Sequence, residues 1–402
     1  MTTRRRPRPW PGALDPLDQL DPLDGEEPGV VPTARATDVR ALLPETGRGE
    51  REPAGELADA VAASDAPDVV FALSRDGHRT VLSGGTGPPP PVPREDLRYE
   101  IGSATKTFTG LLLARLIHAG ELTGEEPAGT LLDGGRTAGR DPVTLAHLIT
   151  HTSGLPALPP GFLRRALPAW HTNPYARFPA DRVVDAYLRH RPRRRPGTRW
   201  CYSNYGVAVL GHALAAATCT PWEDLLTDLV LRPLGLRATT LRADDTGFDA
   251  SGHGKDGAAP VPAFDAGGFQ AAGAVRATPD DLLTFVEAQL RPDAAPAELA
   301  GPLRAVRRPV LRRGLTHRHV HTVAWFRHPT DGGPMYFHSG ATLGQQAFLG
   351  FRPDTGTALV AVCTRRFRAH DPFVATAYAL LAEDRPDGLG ADGVCRAGAG
   401  QP

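Results

Sequence analysis

The chain has 402 residues, 41% hydrophobic and 22% charged, with 45 basic side chains matched by 45 acidic ones. That is room for one catalytic unit with a sizeable core plus tails, and the balanced charge supplies no field to recruit nucleic acid or anionic lipid. The four cysteines, Cys201, Cys219, Cys363 and Cys395, have neither the paired spacing of a zinc site, nor a redox C-x-x-C, nor the density of a disulfide framework.

The first 52 residues are rich in Pro, Asp, Arg and Gly, carry the near-repeat Leu-Asp-Pro-Leu-Asp, and have no amphipathic period, so residues 1–52 are expected to be a disordered extension. A basic cluster opens the chain, but no apolar core of a secretory signal follows, and no apolar run reaches membrane-spanning length. These features predict a cytoplasmic, non-membrane protein, expected as a monomer. The folded domain is expected over 53–386, with 387–402 as a C-terminal tail.

Asp68 to Leu82 predicts two short strands around a Ser74-Arg75-Asp76-Gly77 turn, and the proline run 88–93 a surface linker. From Ser103 onward, Phe108, Leu111, Leu112, Leu116 and Ile117 recur at helical spacing, which predicts a long helix beginning at the serine. Thr220-Pro221-Trp222-Glu223 and Thr278-Pro279-Asp280-Asp281 each read as a capping hydroxyl, a proline at the first helical position and an acidic first turn. Met335 to His338, Ala347 to Phe351 and Thr357 to Cys363 are β-type runs, and 371–383 is an amphipathic helix. Strands at both ends with helices between them predict an α/β (α+β) part, about 53–125 and 300–386, and a helical part, about 126–299, inserted into it.

Ser103-Ala104-Thr105-Lys106 puts a hydroxyl and an amine on one helical face, within proton-transfer reach. Lys106 and Lys255 are the only lysines in a chain that otherwise uses Arg, and Arg cannot act as a base, so a lysine here points to chemistry and not to charge. Alone, the motif equally describes a helix start with a solvated lysine. A second constellation is Tyr202-Ser203-Asn204, between Pro196-Gly197-Thr198-Arg199-Trp200 and the apolar helix from Val207 to Leu214, where a phenol and an amide meet at one loop-to-helix junction. A packing tyrosine and a capping asparagine are the plainer alternative. The third, His338-Ser339-Gly340-Ala341, ends a strand with a glycine that lets a substrate backbone lie along its edge.

In this order, with about 100 and then about 135 residues between them, S-x-x-K, Y-S-N and H-S-G resemble the serine β-lactamase and penicillin-binding protein superfamily. The likeness is greatest to its class C β-lactamase, D-alanyl-D-alanine carboxypeptidase and esterase branch. Leu148 to Leu155, Pro233 to Leu236, Gly252-His253-Gly254, and Gly267-Gly268 leading to Ala277 to Leu282 add to it. The resemblance implies a transpeptidase-like fold, an antiparallel sheet flanked by helices with an inserted helical part. It also implies a serine hydrolase without cofactor or metal, acting on a small-molecule ester, amide or peptide. Ser103 would attack, Lys106 accept its proton, Tyr202 relay a proton to the leaving group and later activate water, and Asn204 orient the acyl amide or ester. The backbone N–H groups of Ser103 and Ala341 would form the oxyanion hole. Where many β-lactamases carry Lys, the third motif has His338, as the carboxypeptidase and esterase members do, which disfavours β-lactams and favours esters or amides. Replacing His338 by Lys is expected to shift relative activity toward carboxylate-bearing substrates, and lowering the pH toward 6 to mimic part of that shift if the imidazole becomes protonated.

Other patterns carry less. His147 and His151 have the i, i+4 spacing of a zinc helix without its glutamate. His317, His319 and His321 alternate and are expected on a solvated strand face. Arg189, Arg191 and Arg193 to Arg195 read as a solvated loop, and Leu43-Pro44-Glu45-Thr46-Gly47 matches a sorting signal in letters alone.

Overall fold

Val69 to Leu73 is apolar at every position, and a strand of that kind is stable only when both of its faces are covered. A computed structural model describes residues 52–136, 142–169, 172–189, 192, 194–244, 246–313, 319–368 and 371–383. Residues 1–51, the Leu43 to Gly47 match, Arg191, Arg193, His317, Cys395 and the tail therefore lie outside the described residues.

Strand β1 (Val69–Arg75) turns through Asp76 and Gly77, at φ 52° and 90°, into β2 (His78–Gly84). β3 (Tyr99–Glu100) and β4 (Arg276–Ala277) form a separate two-stranded ladder. β5 (Pro309–Arg313), β6 (His319–Thr322), β7 (Phe326–Pro329), β8 (Pro334–Ala341), β9 (Gln346–Arg352) and β10 (Thr357–Cys363) follow. The main sheet runs β2-β1-β10-β9-β8-β7-β6-β5 with every neighbouring pair antiparallel, so a strand from near the start of the domain sits against its last strand.

Alternation then divides the apolar side chains between two cores. Val70 and Ala72 of β1, Ala347, Leu349 and Phe351 of β9, and Ala358, Val360 and Val362 of β10 face the large core. Val69, Phe71 and Leu73 with Phe348, Leu359, Ala361 and Cys363 face the other, which the helices Pro53–Ala63 and Pro372–Glu383 cover. On the large-core side the helix Pro279–Leu290 crosses β1, β9 and β10. Behind it lies the helix Thr105–Ala119, buried on nearly all sides from Thr105 to Ala114 and closed by Gly120 at φ 79°, whose N–H returns to the carbonyls of Leu116 and Ile117. Helices with a predominantly antiparallel sheet make this an α+β fold. Among the described residues no helix is long and apolar enough to cross a membrane.

Two sequence expectations shift. Thr278 caps its helix as expected, accepting from Asp281 N–H, but Thr220 does not: the helix Trp222–Leu226 starts one residue later, with Pro221 at its N-cap and the Thr220 hydroxyl turned to the Thr218 carbonyl. His321 is not on a solvated face. It is 7% exposed, with its ring 4.6 Å from the ring centroids of both Trp200 and Phe326, because the aromatic neighbours cover this part of the sheet.

Phe108 and Phe285 stack at 3.8 Å between centroids where the two central helices meet. Phe108→Ala should remove about 3–5 kcal/mol of stability by urea denaturation, as a buried aromatic whose cavity cannot collapse does. A loss under about 1 kcal/mol would mean that this contact closes up readily.

Candidate active site

Ser103 is the middle residue of a 3-10 turn, Gly102–Ala104, that leads into the helix Thr105–Ala119. Gly102 holds φ 49°, so the turn needs a residue without a Cβ. The end of β8 presses directly on it. A Cβ added to Gly340 would lie 2.0 Å from the Ile101 carbonyl oxygen and 2.7 Å from the Ser103 nitrogen, and one added to Gly102 would lie 2.4 Å from the Ala341 oxygen. The Ala341 and Ser103 backbones are thus brought side by side, with Ala341 exposed toward the cleft.

Lys106 lies 2% exposed, one turn behind the serine, with Nζ 3.0 Å from Ser103 Oγ and 3.0 Å from the Ala272 carbonyl oxygen. The segment that supplies that carbonyl is held on either side of it by two threonines on one face of the serine's own helix: Thr109 Oγ1 donates to the Ala271 carbonyl at 2.7 Å and Thr105 Oγ1 accepts from Val275 N–H at 3.1 Å. Burial pushes the Lys106 pKa well below the ordinary lysine value, because the charged form loses its hydration. The Tyr202 hydroxyl donates to Ser103 Oγ at 2.7 Å, and the Lys106 amine sits 4.9 Å from the Tyr202 ring centroid. Hydroxyl, amine and phenol from residues about 100 apart in sequence therefore converge on one oxygen.

Tyr202 is aimed by a loop docked on residues 151–157. Cys201 N–H donates to the His151 carbonyl, Gly197 N–H to the Thr152 carbonyl, and Ser203 N–H to His151 Nδ1 at 3.2 Å, while the His151 ring lies 4.6 Å from that of Tyr202. His147 instead caps its own helix with Thr144. The i, i+4 histidine pair thus has a local structural use, and among the described residues no group of three or more His, Cys, Asp or Glu could hold a metal ion. Ser203, not Asn204, caps the helix Asn204–Thr218, accepting from Gly206 N–H at 2.8 Å. This leaves the Asn204 amide to face the cleft: Nδ2 donates to the Tyr175 hydroxyl at 3.4 Å, and the buried Oδ1 has no hydrogen-bond partner among the described residues. The Tyr175 ring meets those of Phe162, Phe264 and Phe269 at 5.1–5.5 Å.

His338 is buried, its Nδ1 2.7 Å from the Ser339 carbonyl oxygen, and its ring 5.2 Å from that of Phe326. Burial, with a smaller repulsion from Lys106, lowers its pKa from 6.5 to about 3. The condition for a substrate shift near pH 6, a protonated imidazole, is therefore not met: a buried ring gains nothing to offset the lost hydration of its cation. Ser103, Lys106 and Tyr202 meet at hydrogen-bond distance, Gly340 and the Ala341 backbone abut them, and Asn204 lies on the Tyr175 side. Tyr175, His151 and the Ala272 carbonyl were not anticipated. Backbone carbonyls have no sequence signal, and Tyr175 lies in a loop without periodicity. Thr105 and Thr109, polar at i and i+4 in an apolar helix, were the available sign of a buried partner segment.

Comparison with known proteins bears on the family and the fold. A model of the beta-lactamase family matches residues 54–384. A beta-lactamase of Pseudomonas fluorescens is 30% identical over 210 residues, 52% of this chain and 54% of that protein, so the chain spans about half the length of this relative. The D-alanyl-D-alanine-carboxypeptidase/endopeptidase AmpH of Escherichia coli (strain K12) is 29% identical over 279 residues, 66% of this chain and 68% of that protein. The crystal structure of a beta-lactamase/D-alanine carboxypeptidase from Pseudomonas syringae shares the fold, with a TM-score of 0.69 at 20% identity over 83% of this chain and 98% of that one. The match along almost the whole described domain, over a sheet and helices arranged in the same way, means that the chain belongs to the beta-lactamase family of serine hydrolases.

Proposed function

We propose that the protein hydrolyses an ester or amide of a small or medium acyl group through an acyl-enzyme on Ser103. The observation that carries this is the convergence of Lys106 Nζ and the Tyr202 hydroxyl on Ser103 Oγ, with the amine stripped of water. A neutral amine has a lone pair, so it can take the serine proton as Oγ attacks the carbonyl carbon. The new C–O bond drives the carbonyl electrons onto oxygen, where the N–H groups of Ser103 and Ala341 receive the charge. Tyr202 passes a proton to the leaving oxygen or nitrogen as its bond to carbon breaks. In the second half the resulting phenolate takes a proton from water, which attacks the acyl carbon; the bond from that carbon to Ser103 Oγ breaks, and the Lys106 ammonium returns its proton to Oγ, so that serine, amine and phenol are all restored. Asn204, with its amide nitrogen donating to Tyr175 and its buried oxygen without a partner among the described residues, orients the acyl side.

The buried neutral His338 supports esters and uncharged amides over carboxylate-bearing substrates, since nothing at that position supplies the fixed cation that would pair with a carboxylate. A D-alanyl-D-alanine carboxypeptidase or β-lactamase is the second reading, favoured by the names of the relatives above. A non-catalytic member of the fold would have no use for a desolvated lysine against a serine.

Ser103→Ala should abolish turnover and labelling by a fluorophosphonate, read by intact mass, while the melting temperature stays near the parent's. Lys106→Arg should fall below about a tenth of the parent kcat, since guanidinium cannot accept the proton, and retention above that level would reduce Lys106 to a charge partner. Short aryl esters should exceed cephalosporins in kcat/KM, and the ratio should be unchanged between pH 8 and 6. A parent that prefers the cephalosporin would restore the β-lactamase reading.

The sign of a further pH effect follows from the lowered His338 pKa. Below pH 6.5 the unfolded chain takes up a proton that the folded chain refuses until about pH 3, so this residue makes stability fall as pH drops through that window. At pH 5 the effect should reach on the order of 2 kcal/mol, measured as the part of the stability slope that His338→Gln removes.

A further inference from the structure

Glu100 stands three residues before Ser103 and is 4% exposed, paired with Arg276, itself 2% exposed, at 2.9 Å across the β3–β4 ladder. A buried ion pair is a weak device for stability, since apolar residues of the same volume do as well, and its geometry is its more distinctive property. Here the geometry reaches two walls of the site, the turn between β8 and β9 and the segment around Phe264. Glu100 Oε2 accepts from the Thr342 hydroxyl at 2.5 Å, and Thr342 follows Ala341 directly. Oε1 accepts from Phe264 N–H at 2.7 Å, and Arg276 donates to the Phe264 carbonyl at 2.8 Å, so both backbone groups of Phe264 are held while its ring meets that of Tyr175 at 5.5 Å. Glu100 N–H donates to Gln345 Oε1, and Gln345 Nε2 donates to the Ala250 carbonyl, each at 2.8 Å. The turn between β8 and β9 is thereby anchored at Thr342 and at Gln345 to the strand that leads into the serine turn.

We propose that the buried Glu100–Arg276 pair is a positioning element for acyl transfer, which through Thr342 holds the Ala341 N–H against Ser103 and through Phe264 holds the wall on which Tyr175 and Asn204 rest. This rests on the reading of Ser103 as nucleophile. Neither residue touches the reacting atoms. The effect is on where the donor of the oxyanion site lies, and a donor displaced by a fraction of an ångström stabilises the developing charge less without altering how the substrate first binds.

Thr342→Val tests this directly, because it keeps the volume, leaves the ion pair intact and removes the one hydroxyl that links the pair to the turn. In the full chain, with 4-nitrophenyl acetate as substrate, kcat should fall on the order of tenfold with KM within about twofold, and the rate constant for fluorophosphonate labelling should fall in parallel. Thr342→Ser should restore most of both, and the melting temperature of Thr342→Val should stay near the parent's. Glu100→Gln, which keeps the shape but not the charge, should lower kcat in the same way. If it fails to fold, the valine and serine pair decides. The proposal is overturned if Thr342→Val keeps kcat within about twofold of the parent, or if Thr342→Ser loses as much as Thr342→Val. A parent labelled on Ser103 with an unaffected Thr342→Val overturns the positioning role alone, whereas a parent that takes no label overturns the nucleophile reading and this role with it.

Discussion

Two stretches of backbone approach each other more closely in this site than any side chain would permit. A Cβ at either Gly340 or Gly102 would fall inside the neighbouring main chain, so the strand end and the serine turn are in contact through peptide groups alone. The consequences extend outward. The turn sets where the helix behind it begins, that helix sets where Lys106 ends up, and the strand fixes the peptide of Ala341 on a rigid element and not on a loop. Substituting either glycine would force the main chain apart, and the serine hydroxyl would move with it.

The desolvated lysine is the second constraint. An ammonium enclosed by protein is unfavourable unless it is paired or loses its proton, and Lys106 donates to a hydroxyl and a peptide carbonyl, with no carboxylate within ion-pair distance among the described residues. Thr105 and Thr109 satisfy the backbone of the segment that supplies the carbonyl, so the helix that carries the base also builds the wall that dries it. Unfolding would return the amine to water and to its ordinary basicity, which means that the same burial that suits it to accept a proton also lowers the stability of the fold near neutral pH.

Much of this was legible beforehand where one residue type had one physical use. A two-faced apolar run such as Val69 to Leu73, an Asp-Gly turn and one of only two lysines in an arginine-rich chain each had a single economical reading. The edge strand Pro309–Arg313 and the short inner strand Phe326–Pro329 did not, because short segments with Pro, Arg and His lack both alternation and β propensity and are held by their neighbours. His321 and His338 read as polar positions, yet three-dimensional neighbours bury them, and burial decides their protonation. Asn204 was recognised as part of the site, while Tyr175, its partner, comes from a loop with no pattern to mark it. The Glu100–Arg276 pair joins residues far apart in sequence, and neither stood out in composition.

The pairing of β1 with β10 joins Val69 to Cys363, about 290 residues later. During synthesis the first strand can form its hairpin with β2, and pack against the helix Pro53–Ala63, as soon as these have left the ribosome, but its other edge stays without its partner until the last strand emerges, and its large-core face until the helix Pro279–Leu290 does. At about 5–20 residues per second the wait for the last strand is roughly 15–60 s, long enough for an unpaired edge to find the wrong partner. The nascent chain is therefore expected to depend on a holding chaperone until it is nearly complete, and truncations before residue 363 should aggregate instead of populating a half-folded domain.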